Sequence, residues 1–176
     1  MPVVFPEALK SEGNISVTVV PVASITDTSA PSLASITSDG VNASFYFYSG
    51  SAGATSTTNT GTAPRRLGSK DVFNEFGETT HAVGDLQYVY DPQADDTADA
   101  NKVKAICAEG EQVYLVYRYG KDAETDLGVG DKVNLWLVEL GPQNEQPTGD
   151  GEFDQLAITQ AAIVKAPPVK GIALAA

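Results

Sequence analysis

The sequence predicts a mainly β protein, an antiparallel β-sandwich or barrel with one flanking α-helix, and three observations support this fold class. About six segments are rich in the β-branched and aromatic residues that favour strands. One segment, residues 95–109, has the aspartate-rich start and the apolar stripe of a helix. The segments also lack the regular strand–helix–strand alternation of a parallel sheet. We therefore expect one domain, with an N-terminal arm at 1–13, a core at 14–165 and a C-terminal arm at 166–176.

The first half of the chain contains two predicted strands, a short helix and a long loop. Residues 14–25 (NISVTVVPVASI) and 41–48 (VNASFYFY) have the composition of strands. Between them, Pro31 and the apolar spacing that follows it predict a short helix that ends at Gly40. Residues 49–63 have no apolar periodicity. We expect them to form a flexible polar loop of the kind that is functional or becomes ordered on a partner.

The second half contains the clearest periodic patterns. A third strand is predicted at 80–90, followed by the helix at 95–109. Two strong strands follow at 112–119 (QVYLVYRY) and 132–140 (KVNLWLVEL), joined by an acidic, glycine-rich turn region. A last strand is predicted at about 152–165.

The strands at 112–119 and 132–140 are apolar on both faces, whereas a sheet with one wet face alternates apolar and polar residues. Both faces therefore need cover. Helix 95–109 packed on the second face is one explanation. A neighbouring subunit that covers this face is the other, and the two are compatible.

Composition excludes several classes of function. The net charge is -12 and the isoelectric point is about 4.3, so the surface repels nucleic-acid phosphates and anionic membranes. The single cysteine excludes an intrachain disulfide. The N-terminus lacks the pattern of a signal peptide, and no stretch is apolar enough to span a membrane, so we expect synthesis and folding in a cytoplasm.

Catalytic and metal-binding chemistry is thinly represented. His81 is the only histidine, and Cys107 falls on the apolar stripe of the predicted helix, where a buried hydrophobe is expected. No GxSxG elbow is present. The acidic segments 91–99 and 122–133 lack glycine and glutamate at the positions that an EF-hand loop requires. We expect no catalytic residue, no cofactor and no metal.

Two longer blocks carry a family resemblance. ASITDTSAPSLASITSDG (23–40) resembles the segment after the first strand in the major tail (tail tube) proteins of siphophages, long non-contractile-tailed phages, that infect actinobacteria. GEQVYLVYRYGKDAETDLGVGDKVNLWLVELGPQ (110–143) resembles the strand–turn–strand hairpin of those proteins. With the helix placed before this hairpin, the resemblance covers most of residues 14–165.

The resemblance implies the tail tube fold and its mode of assembly. Subunits of that family form hexameric rings with a continuous β-barrel inside, and the rings stack into a tube that DNA traverses during ejection. Loops and arms make the contacts between rings. The resemblance therefore implies that role for both termini and for residues 49–63, with Ser51, Ala54, Thr57 and Asn59 as the candidates. Polar residues on apolar strands, Asp85 and Gln87, are the candidates for the lumen.

The same resemblance implies the partners and the location. The partners are other copies of the chain and the tape-measure, tail-tip and tail-terminator proteins, with DNA passing through without sequence-specific contacts and with no membrane. The location is the virion. Two other readings remain open: a monomeric carbohydrate-binding or adhesin-like β-sandwich that uses the aromatic residues at 45–48, and another virion protein such as a head decoration or tail-terminator protein.

Overall fold

The computed structural model describes residues 6–176, and strands dominate this part of the chain. The strands are β1 (Ile15–Pro21), β2 (Val41–Asn42), β3 (Ala54–Thr62), β4 (Asn74–Val83), β5 (Leu86–Val89), β6 (Gln112–Tyr119), β7 (Lys132–Leu140), β8 (Asn144–Pro147), β9 (Leu156–Gln160), β10 (Ala162–Val164) and β11 (Val169–Ala173). The helices are α1 (Leu33–Asp39) and α2 (Lys102–Ile106), with short 3-10 turns at Val22–Ser24 and Asp99–Asn101. The mainly β, antiparallel fold class is thereby confirmed.

The strands form two sheets and a separate hairpin within the described residues. The main sheet has the order β10-β7-β6-β1-β2, and β11 also pairs with β7, on the same edge as β10. The small sheet has the order β5-β9-β8, and β3 pairs with β4 alone. All pairings between these strands are antiparallel.

The small sheet is a folded-over continuation of the main sheet. The β7–β10 pair continues through a contact in which Gly141 N donates to Ala161 O at 2.9 Å, and it then becomes the β8–β9 pair. The bend at this point places the small sheet over one face of the main sheet. The result is a sandwich whose larger core lies between the two sheets.

The larger core consists of buried apolar and aromatic side chains. It contains Val17, Val19, Val113, Leu115, Tyr117, Trp136, Val138 and Leu140 of the main sheet and Leu86, Tyr88 and Ile158 of the small sheet. Val103 of α2 and Cys107, just beyond that helix, close it at one end.

A buried polar network ties α2 to the small sheet. The Tyr88 hydroxyl donates to Gln160 Oε1 at 3.0 Å, and Gln160 Nε2 donates to the carbonyl oxygens of Cys107 and Gly141 at 2.9 and 2.8 Å. Gln143 Nε2 donates to the Tyr88 oxygen at 3.1 Å. These bonds satisfy polar groups that burial would otherwise penalise, and burial raises the pKa of Tyr88.

The other face of the main sheet has its own cover. Val20, Val116, Val133 and Leu135 point to this side, and Ile25, Ile36 of α1 and Leu174 pack on them. The small sheet covers the opposite face, with α2 at one end of it. The two apolar faces of β6 and β7 are therefore both covered within one subunit.

Helix α1 begins and ends at residues with clear roles. The Ser32 side chain accepts a hydrogen bond from Ser35 N at 3.1 Å and thereby caps the helix. At the other end, Gly40 N donates to Ile36 O at 3.1 Å, and a β-carbon at Gly40 would lie 2.2 Å from that oxygen. The predicted end of the helix at Gly40 is therefore confirmed, and a side chain at this position would clash with the last turn.

Three predicted segments before residue 91 are corrected by the structure. Residues 49–63 were expected to be a loop, but most of them form β3. The strand expected at 41–48 ends after Asn42, because Ala43 N and Val17 N turn to bonds with Val17 O and Ser44 Oγ. The strand expected at 80–90 is broken into β4 and β5 at Gly84.

Segments in the second half are corrected as well. The helix expected at 95–109 is α-helical only over Lys102–Ile106, because the buried Asn101 side chain binds three carbonyl oxygens between residues 91 and 95 and holds that stretch in turns. The strand expected at 152–165 is split into β9 and β10. The expected C-terminal arm instead contains β11, and Leu174 beyond it is buried. In the expected N-terminal arm, residues 6–13 are exposed, and residues 1–5 lie outside the described part.

Candidate assembly surfaces

The hairpin formed by β3 and β4 is exposed along nearly all of its length. Its pairing runs from Ala54 opposite Val83 to Thr62 opposite Asn74, with a register shift after Thr58. Neither outer edge of the hairpin pairs with another described strand. A solitary two-stranded hairpin has marginal stability in water, and its open edges can pair with another chain.

The hairpin crosses the main sheet before it leaves the subunit. At its base, the Tyr117 hydroxyl of β6 donates to the main-chain carbonyl just before β3 at 2.6 Å. Next, His81 lies edge-on to Trp136 of β7, with ring centroids 6.1 Å apart. Lys170 of β11 donates to Ser56 Oγ at 3.0 Å. The hairpin therefore runs from β6 across β7 and departs at the edge formed by β10 and β11.

The tip of the hairpin, residues 63–73, has unusual surface chemistry for this chain. Leu67 and Phe73 are 105% and 69% exposed, and Phe76 beside the tip is 83% exposed. Arg65 and Arg66 form no ion pair with any described residue. An exposed apolar group rimmed by charge is typical of a protein-binding surface.

The four residues predicted to contact a neighbouring ring occupy two different places. Ser51 and Ala54 lie at the base, where Ser51 Oγ donates to Tyr48 O at 2.7 Å and Ala54 packs against the larger core. Thr57 and Asn59 are exposed on β3, the second at the register shift. Thr57 and Asn59 are therefore exposed to a partner, whereas the Ser51 side chain is hydrogen-bonded within its own subunit.

The two residues predicted to line a lumen lie next to each other at the start of the small sheet. Asp85 is exposed at the corner between β4 and β5. Gln87 is half-buried in β5, on the side that faces away from the larger core, opposite Thr159 of β9. Gln87 therefore belongs to the outer surface of the small sheet, and Asp85 is exposed at the corner of that sheet.

Comparison with known proteins assigns the chain to a protein family. A sequence profile described as phage tail tube protein matches residues 3–176. The chain belongs to the phage tail tube protein family. Membership identifies it as a structural component of a phage tail and implies a non-enzymatic role. No curated protein matches the sequence significantly.

A solved structure is similar in fold to this chain. It is a chain of the cryo-EM structure of the anti-feeding prophage (AFP) baseplate, described as 6-fold symmetrised, with a TM-score of 0.51. The match covers 95% of this chain and 98% of that one at 10% sequence identity. At this identity the likeness concerns the fold.

The side chains that sequence analysis considered for chemistry have structural roles in this tail tube fold. Cys107 is buried, and burial raises the pKa of its thiol to about 12, which suppresses the reactive thiolate. His81 is hydrogen-bonded to Ser56 Oγ at 2.9 Å. Residues 6–176 contain no cluster of potential ligands for a metal ion and no helix long and apolar enough to cross a membrane.

The loop between β6 and β7 is organised by a buried charge. Arg118 is 2% exposed and donates to the carbonyl oxygens of Asp122 and Asp126, both at 2.9 Å. It also donates to Asp131 Oδ2 at 3.1 Å, and Lys121 binds the other oxygen of that carboxylate. Hydrogen bonding from Lys121, with smaller contributions from Gly128 N and Arg118, lowers the pKa of Asp131 to about 2.

Sequence reasoning missed the hairpin tip. Arg65, Arg66, Phe73 and Phe76 carried no assigned role because no regular pattern connects them. A usable signal was present nonetheless: residues 64–73 hold three basic side chains in a chain of net charge -12, with apolar residues between them.

Proposed function

We propose that this chain assembles into hexameric rings that stack into the tail tube of a long-tailed phage, and that the acidic lumen of the tube conducts genomic DNA during ejection. The exposed β3–β4 hairpin carries this proposal. Its two strands make up about one tenth of the chain and are mostly exposed. Its two edges are unpaired and its tip is apolar, so the hairpin has backbone groups and apolar surface that a neighbouring subunit can cover.

The hexameric symmetry is supported by the similar solved structure, a prophage baseplate described as 6-fold symmetrised. Closed rings of identical subunits use one repeated interface, and stacked rings use a second one. The contacts at the two ends of such a tube are with the tape-measure, tail-tip and tail-terminator proteins. Subunits made in the host cytoplasm join the growing tail there.

The charge of the chain suits a conduit for DNA. A hexamer of chains of net charge -12 carries about 70 negative charges, and phosphates are repelled from such a wall. Gln87, on the outer surface of the small sheet, and Asp85, at the corner of that sheet, are the proposed lumen residues. A wall without basic side chains at these positions lets DNA slide without binding.

A variant without the outer hairpin tests the proposal. Residues 58–79 are removed, and Thr57 and Thr80, which face each other across the hairpin, are joined by Asn-Gly, a favoured two-residue hairpin turn. Electron microscopy and sedimentation of the concentrated full chain are expected to show rings and hollow tubes. The shortened variant is expected to keep the circular-dichroism spectrum and to form no tubes. Tubes formed equally well by this variant would contradict the proposal.

One observation favours a second candidate, a monomeric binding module. A groove of about 580 Å³ opens beside the start of β1 and is lined by Phe47, Tyr48, Tyr117 and Tyr119. The rings of Tyr117 and Tyr119 are stacked with centroids 6.1 Å apart, and Tyr119 is 50% exposed at the groove. A chain that stays monomeric at every concentration and binds an oligosaccharide would favour this candidate. Rings that never stack would favour a head decoration or tail-terminator protein.

A further inference from the structure

The hairpin tip and the turn at 148–155 lie at opposite ends of the subunit. The hairpin leaves the main sheet at the β10–β11 edge, as described above. Strand β9 packs over the larger core of the same sheet, and hydrogen bonds near its two ends locate those ends. At one end of β9, Gly141 N donates to Ala161 O beside the outer edge of β7. At its other end β9 pairs with β5, whose Val89 N donates to Tyr46 O at 3.0 Å.

Residues 43–46 identify the side on which this second end of β9 lies. Ala43 N donates to Val17 O at 2.8 Å, so these residues cover the outer edge of β1. The turn at 148–155, which joins β8 to β9, therefore projects past the β1 edge. The two projections of the subunit point in opposite directions across the main sheet.

The turn at 148–155 is acidic and carries an exposed aromatic ring; we call it the acidic turn. It contains Asp150, Glu152 and Asp154, and Phe153 is 90% exposed. Asp154 is used internally, because its carboxylate accepts hydrogen bonds from the Thr148 hydroxyl at 2.8 Å and from a main-chain N–H of the turn. Asp150 and Glu152 form no ion pair with any residue from 6 to 176.

The hairpin tip has the complementary chemistry. The tip contains three basic residues, Arg65, Arg66 and Lys70, and one acid, Asp71, and Leu67 between them is fully exposed. The remainder of the chain is strongly acidic. A cationic, apolar projection and an anionic, aromatic one match in charge and in their apolar content.

We propose that the hairpin tip of one copy docks on the acidic turn of a second copy in the next ring, an inference that rests on the proposed tube assembly. The contact joins two different surfaces at opposite ends of the subunit. A head-to-tail contact either closes into a ring or repeats without limit, and we assign this one to stacking, where it repeats along the axis and lengthens the tube. Arg65 and Arg66 pair with Asp150 and Glu152, while Leu67 and Phe153 bury each other's apolar surface.

Disulfide trapping between two single-cysteine variants tests the contact directly. Leu67→Cys and Phe153→Cys proteins are mixed under mild oxidation, and native Cys107 does not compete because it is buried. The mixed pair is expected to give about ten-fold more cross-linked dimer than Leu67→Cys with Val129→Cys, whose position is also exposed at 61%. Equal yields for the two pairs would overturn the proposal, whether or not tubes form.

Charge reversal separates this contact from tube assembly as such. The variants Arg65→Glu/Arg66→Glu and Asp150→Lys/Glu152→Lys are each expected to slow tube growth about ten-fold, and their mixture with complementary charges is expected to recover it. Glu109→Lys/Glu111→Lys, at other exposed acids, is the matched control and is expected to assemble normally. Tubes that grow normally in both reversed variants would reject the docking and leave the proposed function standing. A wild-type chain that forms neither rings nor tubes would instead reject the function.

Discussion

At the scale of single residues, Arg118 shows how a polar side chain fixes a loop that has no regular structure. Its guanidinium binds carbonyl oxygens across the β6–β7 loop, and Asp131 neutralises it. Both groups are almost fully buried. A buried ion of this kind persists only when its hydrogen bonds are made, so the loop and the ion pair stabilise each other.

Replacement of Asp131 by asparagine is expected to destabilise the subunit by about 3 kcal/mol, because it leaves Arg118 buried without its counter-ion. The difference from wild type depends on pH in a defined direction. The folded pKa of about 2 lies below the ordinary value of 3.8, so the contribution of Asp131 is fully present above pH 4 and is lost as pH falls towards 2.

Denaturant unfolding of both proteins between pH 7 and pH 2 measures this dependence. The gap in unfolding free energy between wild type and Asp131→Asn is expected to be constant down to about pH 4 and to narrow below it. A gap that does not change with acidification would show that the carboxylate has no special stabilising role.

At the scale of elements, the strands with a regular apolar pattern were predictable and those without one were not. The predicted ranges 112–119 and 132–140 coincide with β6 and β7, because both faces of these strands are buried and their residues are correspondingly apolar. Strand β3 was not predicted because both of its faces are exposed to solvent, so its sequence does not alternate between apolar and polar residues. The hairpin base was predicted as part of the assembly surface, whereas its tip was not.

The C-terminal segment was mistaken for an arm because it begins with two prolines and is short. Strand β11 nevertheless pairs with β7, and Leu174 beyond it is 2% exposed against Ile36 and Leu135. Contacts between distant parts of the chain decided this outcome, and sequence periodicity does not record them.

Truncation of Leu174 tests whether the C-terminal segment belongs to the folded core. Leu174→Ala is expected to lower the unfolding free energy by about 2 to 4 kcal/mol through the cavity that it leaves. Ile163→Ala, on the same edge of the main sheet but 65% exposed, is the control and is expected to cost about 0.5 kcal/mol or less. Thermal and urea unfolding give both values. Equal, small effects would indicate that the segment is only an arm.

At the scale of the whole molecule, the subunit is a β-sandwich with a covered core and one exposed hairpin, β3–β4. Both faces of the main sheet are covered within the chain, so its core does not need a neighbour. The hairpin is the part that needs a neighbour, and its tip lies at the end of the subunit opposite the acidic turn. This arrangement agrees with subunits that are stable alone and that complete the hairpin only on assembly.

A helical reconstruction of the polymerised full chain by electron cryo-microscopy tests whether the β3–β4 hairpin of one subunit contacts a subunit of the next ring. We expect stacked hexameric rings, with β3 and β4 extending out of their own ring and with Asp85 and Gln87 on the inner wall. Rings in which the hairpin folds back on its own subunit, or an inner wall built without the small sheet, would contradict it.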